Sequence, residues 1–132
     1  MSVSVLTVDD ETDVADLFRQ HFRTEVRHGQ YVLHFACSAE DALDKLAGGI
    51  ELPLIVILSN INMPGMDELS LLREIKGRRP DLPVIMVTTY GDDERRRRAS
   101  EYGAAAFMTK PIDFDFLKAQ LRRLSLRPVR VR

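Results

Sequence analysis

The chain has no tryptophan and one cysteine, Cys37. A single cysteine excludes an internal disulfide framework and fits a reducing cytoplasm, the expected location. Cys37 follows the apolar stretch Val32–Ala36 and is expected to be a small buried hydrophobe rather than a reactive thiol. No apolar run approaches the roughly 20 residues that span a bilayer. The first five residues, Met1–Val5, lack the charged and long apolar regions of a signal peptide. An excess of one charge is absent too: 19 Lys and Arg stand against 20 Asp and Glu, a net charge of −1. No global field draws the chain to nucleic acid or to an anionic membrane, and neither is expected as a partner.

What is present is a single-domain composition: 132 residues, 45% apolar and 30% charged. The domain is expected over residues 1–125. Residues 126–132 are expected to form a basic, frayed tail. Strand-like runs alternate with helical patterns: Val3–Val8, Tyr31–Ala36, Leu54–Leu58, Val84–Val87 and about Ala105–Met108. Leu54–Leu58 is continuously apolar, as a central strand covered on both faces requires. The first helix carries Val14, Leu17, Phe18, His21 and Phe22 on one stripe and is expected to end near Gly29. The second is capped by the Ser38–Asp41 pattern, with Ala42, Leu43, Leu46 and Ala47 inward, and Gly48-Gly49 stops it. The third carries Leu69, Leu72 and Ile75. Gly91–Glu94 opens the fourth, Gly103 closes it, and Asp113 caps the fifth. Right-handed crossovers turn this (βα)₅ order into a doubly wound parallel sheet, α/β and flavodoxin-like, with strand order 2-1-3-4-5.

Ligands of such sheets bind at the carboxyl ends of the strands. There the polar residues collect: Asp9-Asp10 after the first strand, Ser59-Asn60 after the third, Thr88 after the fourth, and Thr109-Lys110-Pro111 after the fifth. Two carboxylates, an amide, a hydroxyl and an ammonium converge. Taken singly, an acid pair before a helix or a Lys-Pro in a loop is an ordinary solvated cap or turn.

Four segments in this order and placement, Val8–Glu11, Asn60–Asp67, Val87-Thr88 and Lys110-Pro111, resemble the receiver domain of two-component response regulators over nearly the whole chain. The resemblance implies a non-enzymatic signalling module that takes a phosphoryl group from a histidine kinase or phosphotransfer protein onto an aspartate ending strand three. It implies that Asp10 binds Mg²⁺ directly, that Asp9 binds it through water or directly, and that the Asn62 carbonyl adds an oxygen. Thr88 would hydrogen-bond the phosphoryl group, Lys110 would pair with its charge, and Phe107 would report the change. Hard oxygen ligands suit Mg²⁺, and phosphoryl transfer asks mainly for positioning and charge neutralisation.

The phosphoacceptor position is Asn60. A carboxamide oxygen is no nucleophile, because its electron pair is delocalised into the C–N bond. The metal set Asp9, Asp10, Asn60 and Asn62 also loses one charge, so Mg²⁺ binding is expected to be weak. An engineered block, a natural pseudo-receiver that signals by binding alone, and slow deamidation are all compatible with this residue. Glu68 stands where the family usually has glycine. It suits the helix dipole there, and the resemblance assigns it no role.

Arg95–Arg98 points around most of a helix, among Asp92, Asp93, Glu94 and Glu101, and reads as a solvated face rather than a nucleic-acid stripe. His21, His28 and His34 have no metal-ligand spacing. A flavodoxin-like cofactor binder would need a Gly/Ser/Thr-rich phosphate cradle, and a hydrolase would need an aspartate nucleophile and a cap. The chain shows neither. The fourth helix, fifth strand and fifth helix, with exposed Lys118, Arg122 and Arg123, are the expected output face and a possible homodimer surface. The chain is expected to be a single-domain regulator or an excised receiver.

Overall fold

The computed structural model describes residues 2–59, 62–63, 66–89 and 93–125. Asn60, Pro64-Gly65, Gly91-Asp92 and the 126–132 tail therefore lie outside the described residues.

Five parallel strands form the central sheet: β1 (Val3–Val8), β2 (Tyr31–Ala36), β3 (Leu54–Ser59), β6 (Val84–Thr88) and β7 (Ala106–Thr109). Their spatial order is β2-β1-β3-β6-β7, the expected 2-1-3-4-5. A two-residue antiparallel ladder, β4 (Asn62–Met63) with β5 (Met66–Asp67), follows β3 and was not anticipated. The helices are α1 (Thr12–His21), α2 (Arg23–Arg27), α3 (Ala39–Ala47), α4 (Glu68–Arg78), α5 (Asp93–Glu101) and α6 (Phe114–Ser125).

Both sheet faces are covered, which explains the unbroken apolar strands. On one face Leu6, Val8, Val56, Leu58, Val84 and Met86 pack with Leu69, Leu72 and Ile75 of α4, Ala42 of α3 and Ala99 of α5. On the other, Val5, Ile55, Ile57, Ile85 and Val87 pack with Val14 and Phe18 of α1, Phe22, and Leu117, Leu121 and Leu124 of α6. The alternation of neighbouring strand residues between these two clusters is the period-two pleat. Every residue of β1, β3 and β6 is buried, whereas the edge strands β2 and β7 are partly open.

Expectations about the first helix and about Leu17, His21, Ala47, Cys37 and Lys118 need correcting. The first helix is interrupted at Phe22 (φ −106°, ψ 13°), although residues 12–27 contain no glycine or proline. The buried stripe is Val14, Phe18 and Phe22; Leu17 is 43% exposed and His21 is exposed, stacking on Phe114 at 3.9 Å. Ala47 is exposed because α3 turns Ala39 and Ala42 inward instead. Cys37 is exposed, since the chain leaves the edge strand there; its backbone N–H donates to the Asp41 carboxylate at 3.1 Å. Lys118 is mostly covered: its ammonium pairs with Glu25 at 2.9 Å and lies over the Phe22 ring.

The helix punctuation matches the sequence more closely. Ser38 Oγ accepts from the Asp41 N–H at 3.0 Å, and Asp113 accepts from the Phe116 N–H at 3.1 Å. Gly103 closes α5 at φ +95°, where a side chain would be strained and a Cβ would stand 3.0 Å from Lys76 Cε.

Candidate functional site

β1 carries its chain past the end of the sheet ladder, where the Asp9 N–H still donates to the Ala36 carbonyl at 3.0 Å. The Asp9 side chain is buried beneath the crevice. One of its oxygens, Oδ2, accepts from Ser59 Oγ at 2.6 Å and from Lys110 Nζ at 3.1 Å. The other, Oδ1, accepts from the Glu11 N–H at 2.8 Å and so shapes the turn into α1. Lys110 is set by its own backbone, whose N–H donates to the Thr88 carbonyl at 2.9 Å. Three strand ends thus converge on one carboxylate, and its buried charge is compensated by a mostly covered ammonium.

Asp10 and Glu11 are exposed at the rim. Carboxylate oxygens of Asp9, Asp10 and Glu11 lie within 4.8 Å of one another. Among the described residues these are the acids placed to share a cation. Their hard oxygens and residual negative charge suit Mg²⁺, with water completing an octahedron. Asn62 is paired with Asp67 in the short ladder.

At the end of β6 the Thr88 hydroxyl donates to Glu68 Oε1 at 3.1 Å, in a buried setting. Arg95 Nη1 reaches the same oxygen at 3.1 Å. Glu68 is only 5% exposed. Next to it, Asp67 caps α4 by accepting from the Ser70 N–H at 2.8 Å, and that bond holds its carboxyl below the usual range. Phe107 is half-buried on β7, with the Arg96 guanidinium 4.6 Å from its ring centre. Arg97 pairs with Glu101, and Arg98 donates to the Tyr102 hydroxyl. The four arginines therefore point to four different partners within the domain.

Lys110 meets Asp9 through its ammonium and Thr88 through its backbone N–H, while the Thr88 hydroxyl turns to Glu68 and Phe107 lies on the neighbouring strand β7. Asn60 falls outside the described residues. Three participants were missed. Ser59 was visible as a polar residue closing an apolar strand, Glu11 as the third of three consecutive acids, and Glu68 as an acid opening a helix. None of those signals names its partner.

The chain belongs to the response regulator receiver domain family, whose sequence profile matches residues 5–122. Receiver domains are signalling modules, generally not catalysts; they work with histidine kinases or phosphotransfer proteins and bind Mg²⁺ through acidic residues. The C4-dicarboxylate transport transcriptional regulatory protein DctD of Rhizobium meliloti is 38% identical over 120 residues, 91% of this chain and 25% of that protein. The DNA-binding transcriptional regulator NtrC of Escherichia coli is 46% identical over 68 residues, 52% of this chain and 14% of that one. The chain thus spans a quarter or less of these relatives. Among solved structures, the receiver domain of NtrX from Brucella abortus matches at TM-score 0.77 and 32% identity, over 91% of this chain and 96% of that one. The CheY-like receiver domain protein of Methanospirillum hungatei matches at TM-score 0.78 and 28% identity, over 95% of both chains. Among the described residues no helix is long and apolar enough to cross a membrane.

Proposed function

We propose that this chain is a receiver whose phosphoacceptor position is blocked by Asn60. The carrying observation is the convergence of Asp9, Ser59 and Lys110 beneath the Asp9-Asp10-Glu11 rim. Asp10 and Asp9 would hold Mg²⁺, with the Asn62 carbonyl and residue 60 completing the protein ligands. Bound there, Mg²⁺ would neutralise phosphoryl oxygens. Lys110, already aimed into the crevice, would exchange part of its contact with Asp9 for the phosphoryl charge. Thr88 would donate its hydroxyl to the same group. Without the carboxylate of an aspartate at position 60, metal binding is weak and no acyl phosphate forms.

The partner is a histidine kinase or phosphotransfer protein of the cytoplasm, and this domain itself contacts neither nucleic acid nor membrane. Output leaves through α5, β7 and α6. Support comes from the meagre anchorage of α5, whose one buried residue is Ala99, and from Arg96 lying on Phe107. Homodimerisation through this face is part of the reading. The pseudo-receiver alternative, a phosphorylation-independent binding module, keeps the same surface and is favoured by the internal engagement of Thr88 with Glu68.

Intact-mass measurement after incubation with Mg²⁺ and a small phosphodonor separates the two. The parent chain is expected to remain unmodified, and Asn60→Asp to gain one base-labile phosphoryl group. If Asn60→Asp also stays unmodified, the blocked-receiver reading fails and the binding-module reading stands.

A further inference from the structure

Glu68 is the buried ionisable group for which neither the fold nor the phosphoryl chemistry has a use. It occupies the first position of α4, directly after the Asp67 cap, so its backbone is fixed by the helix start. Its side chain does not turn to solvent, as an acid in a first helical turn ordinarily does. It is 5% exposed and lies against the end of β6. There one oxygen, Oε1, receives two donors from two separate elements, the Thr88 hydroxyl and the Arg95 guanidinium, each at 3.1 Å. A buried carboxylate is stable only when paired and hydrogen-bonded, and both conditions are met by this arrangement.

The two donors are informative by position. Thr88 ends a fully buried strand and does not move without the sheet. Arg95 lies in the first turn of α5, which contributes one buried residue to the core. A helix with so little apolar anchorage depends on its polar ties. We infer that Glu68 is a built-in carboxylate clamp joining Thr88 on β6 to Arg95 on α5, so that the chain itself, rather than an added phosphoryl group, sets the position of α5. This rests on the reading of Thr88 as the hydroxyl that senses the phosphoryl group. An anion entering the crevice must then compete with Glu68 for that hydroxyl, and any output carried by α5 is biased before a signal arrives. Glu68 is a positioning residue; it acts through Thr88 and Arg95.

Amide hydrogen exchange by NMR on the metal-free chain tests the clamp through three variants. Glu68→Ala removes both contacts. Residues 97–101 of α5 are expected to exchange about ten-fold faster, the scale of one lost hydrogen bond to a charged group. The Thr88 methyl resonance is expected to shift, and β1 and β3 to stay unchanged. Glu68→Gln keeps an acceptor oxygen for Thr88 but loses the charge that holds Arg95. It is expected to speed α5 while leaving the Thr88 resonance near its parent position. Arg95→Met is expected to match Glu68→Gln in α5. Should Glu68→Ala fail to fold, the near-isosteric Glu68→Gln decides. Unchanged α5 exchange in the folded variants overturns the clamp, and so does uniform acceleration of all elements, which marks plain destabilisation. None of these readouts needs Mg²⁺ or a phosphodonor, so failure of Asn60→Asp to become phosphorylated would leave this result distinguishable.

Discussion

The Lys110 ammonium stands 3.1 Å from the buried Asp9 carboxylate, across 101 residues of sequence. This pair changes how the acid cluster is balanced. Asp9 and Asp10 are adjacent in sequence, yet Asp9 is paired with the Lys110 ammonium just after β7 and hydrogen-bonded from Ser59 of β3, so their mutual repulsion is blunted in the folded domain.

Removing the ammonium strands the carboxylate. Lys110→Met is expected to destabilise the metal-free domain by about 3 kcal/mol, because a buried charge loses its partner. Denaturant unfolding followed by circular dichroism measures it. A midpoint equal to that of the parent would show that Asp9 is satisfied by Ser59 and the Glu11 N–H alone.

Mg²⁺ binding is expected to be weak in the parent chain and stronger in Asn60→Asp, since each added carboxylate raises affinity for a hard cation. With no tryptophan in the sequence, amide NMR titration is the practical probe. Resonances of Asp10 and Glu11 should move at lower Mg²⁺ in the variant. Identical titrations would exclude residue 60 as a metal ligand.

Asp41 gives a pH signature at the start of α3. Its carboxyl is held below the usual value of 3.8 by the hydrogen bond from Lys45 and then by that from the Cys37 N–H. A carboxyl with a depressed folded-state pKa adds stability above its unfolded pKa, and that stability is lost as pH falls through the folded value. Asp41→Asn should therefore cost about 0.5 kcal/mol at neutral pH, a modest figure for a partly exposed pair, and nothing once both forms are protonated. Parallel melts from neutral pH to below the carboxyl range check this, and a difference that persists in acid would assign the effect to packing.

Self-association is expected to be sensitive to the exposed α6 face. Arg122→Glu should weaken any dimer seen by sedimentation, most clearly at low salt. A dimer that ignores this change but responds to substitutions on α1 would relocate the surface.

The strand ends were legible because long apolar runs stop abruptly at Asp9, Ser59, Thr88 and Thr109, and a parallel sheet gathers such stops at one edge. Which polar groups join there was not legible. Glu68 and Thr88 are 20 residues apart and Ser59 and Asp9 are 50, and no local pattern records those contacts. The break at Phe22 carries no glycine or proline to announce it. The β4–β5 ladder is too short for any periodicity to show, and Met63-Pro64-Gly65 reads simply as a turn. Cys37 was misjudged because an apolar strand predicts burial only up to its last residue, Ala36.

Helix α6 closes over α1. Phe114 meets Phe18 edge-on at 5.3 Å and stacks with His21, while Lys118 reaches Glu25. A growing chain that has completed five strands has packed Phe18 and Phe22 against the sheet, but the flank that Phe114 and Lys118 cover stays open to water until Phe114–Ser125 arrives. The domain is thus assembled like a ring whose fastening comes last. Its folding awaits contacts of long sequence separation, and a nascent chain cut short before α6 keeps a sticky aromatic face that invites aggregation.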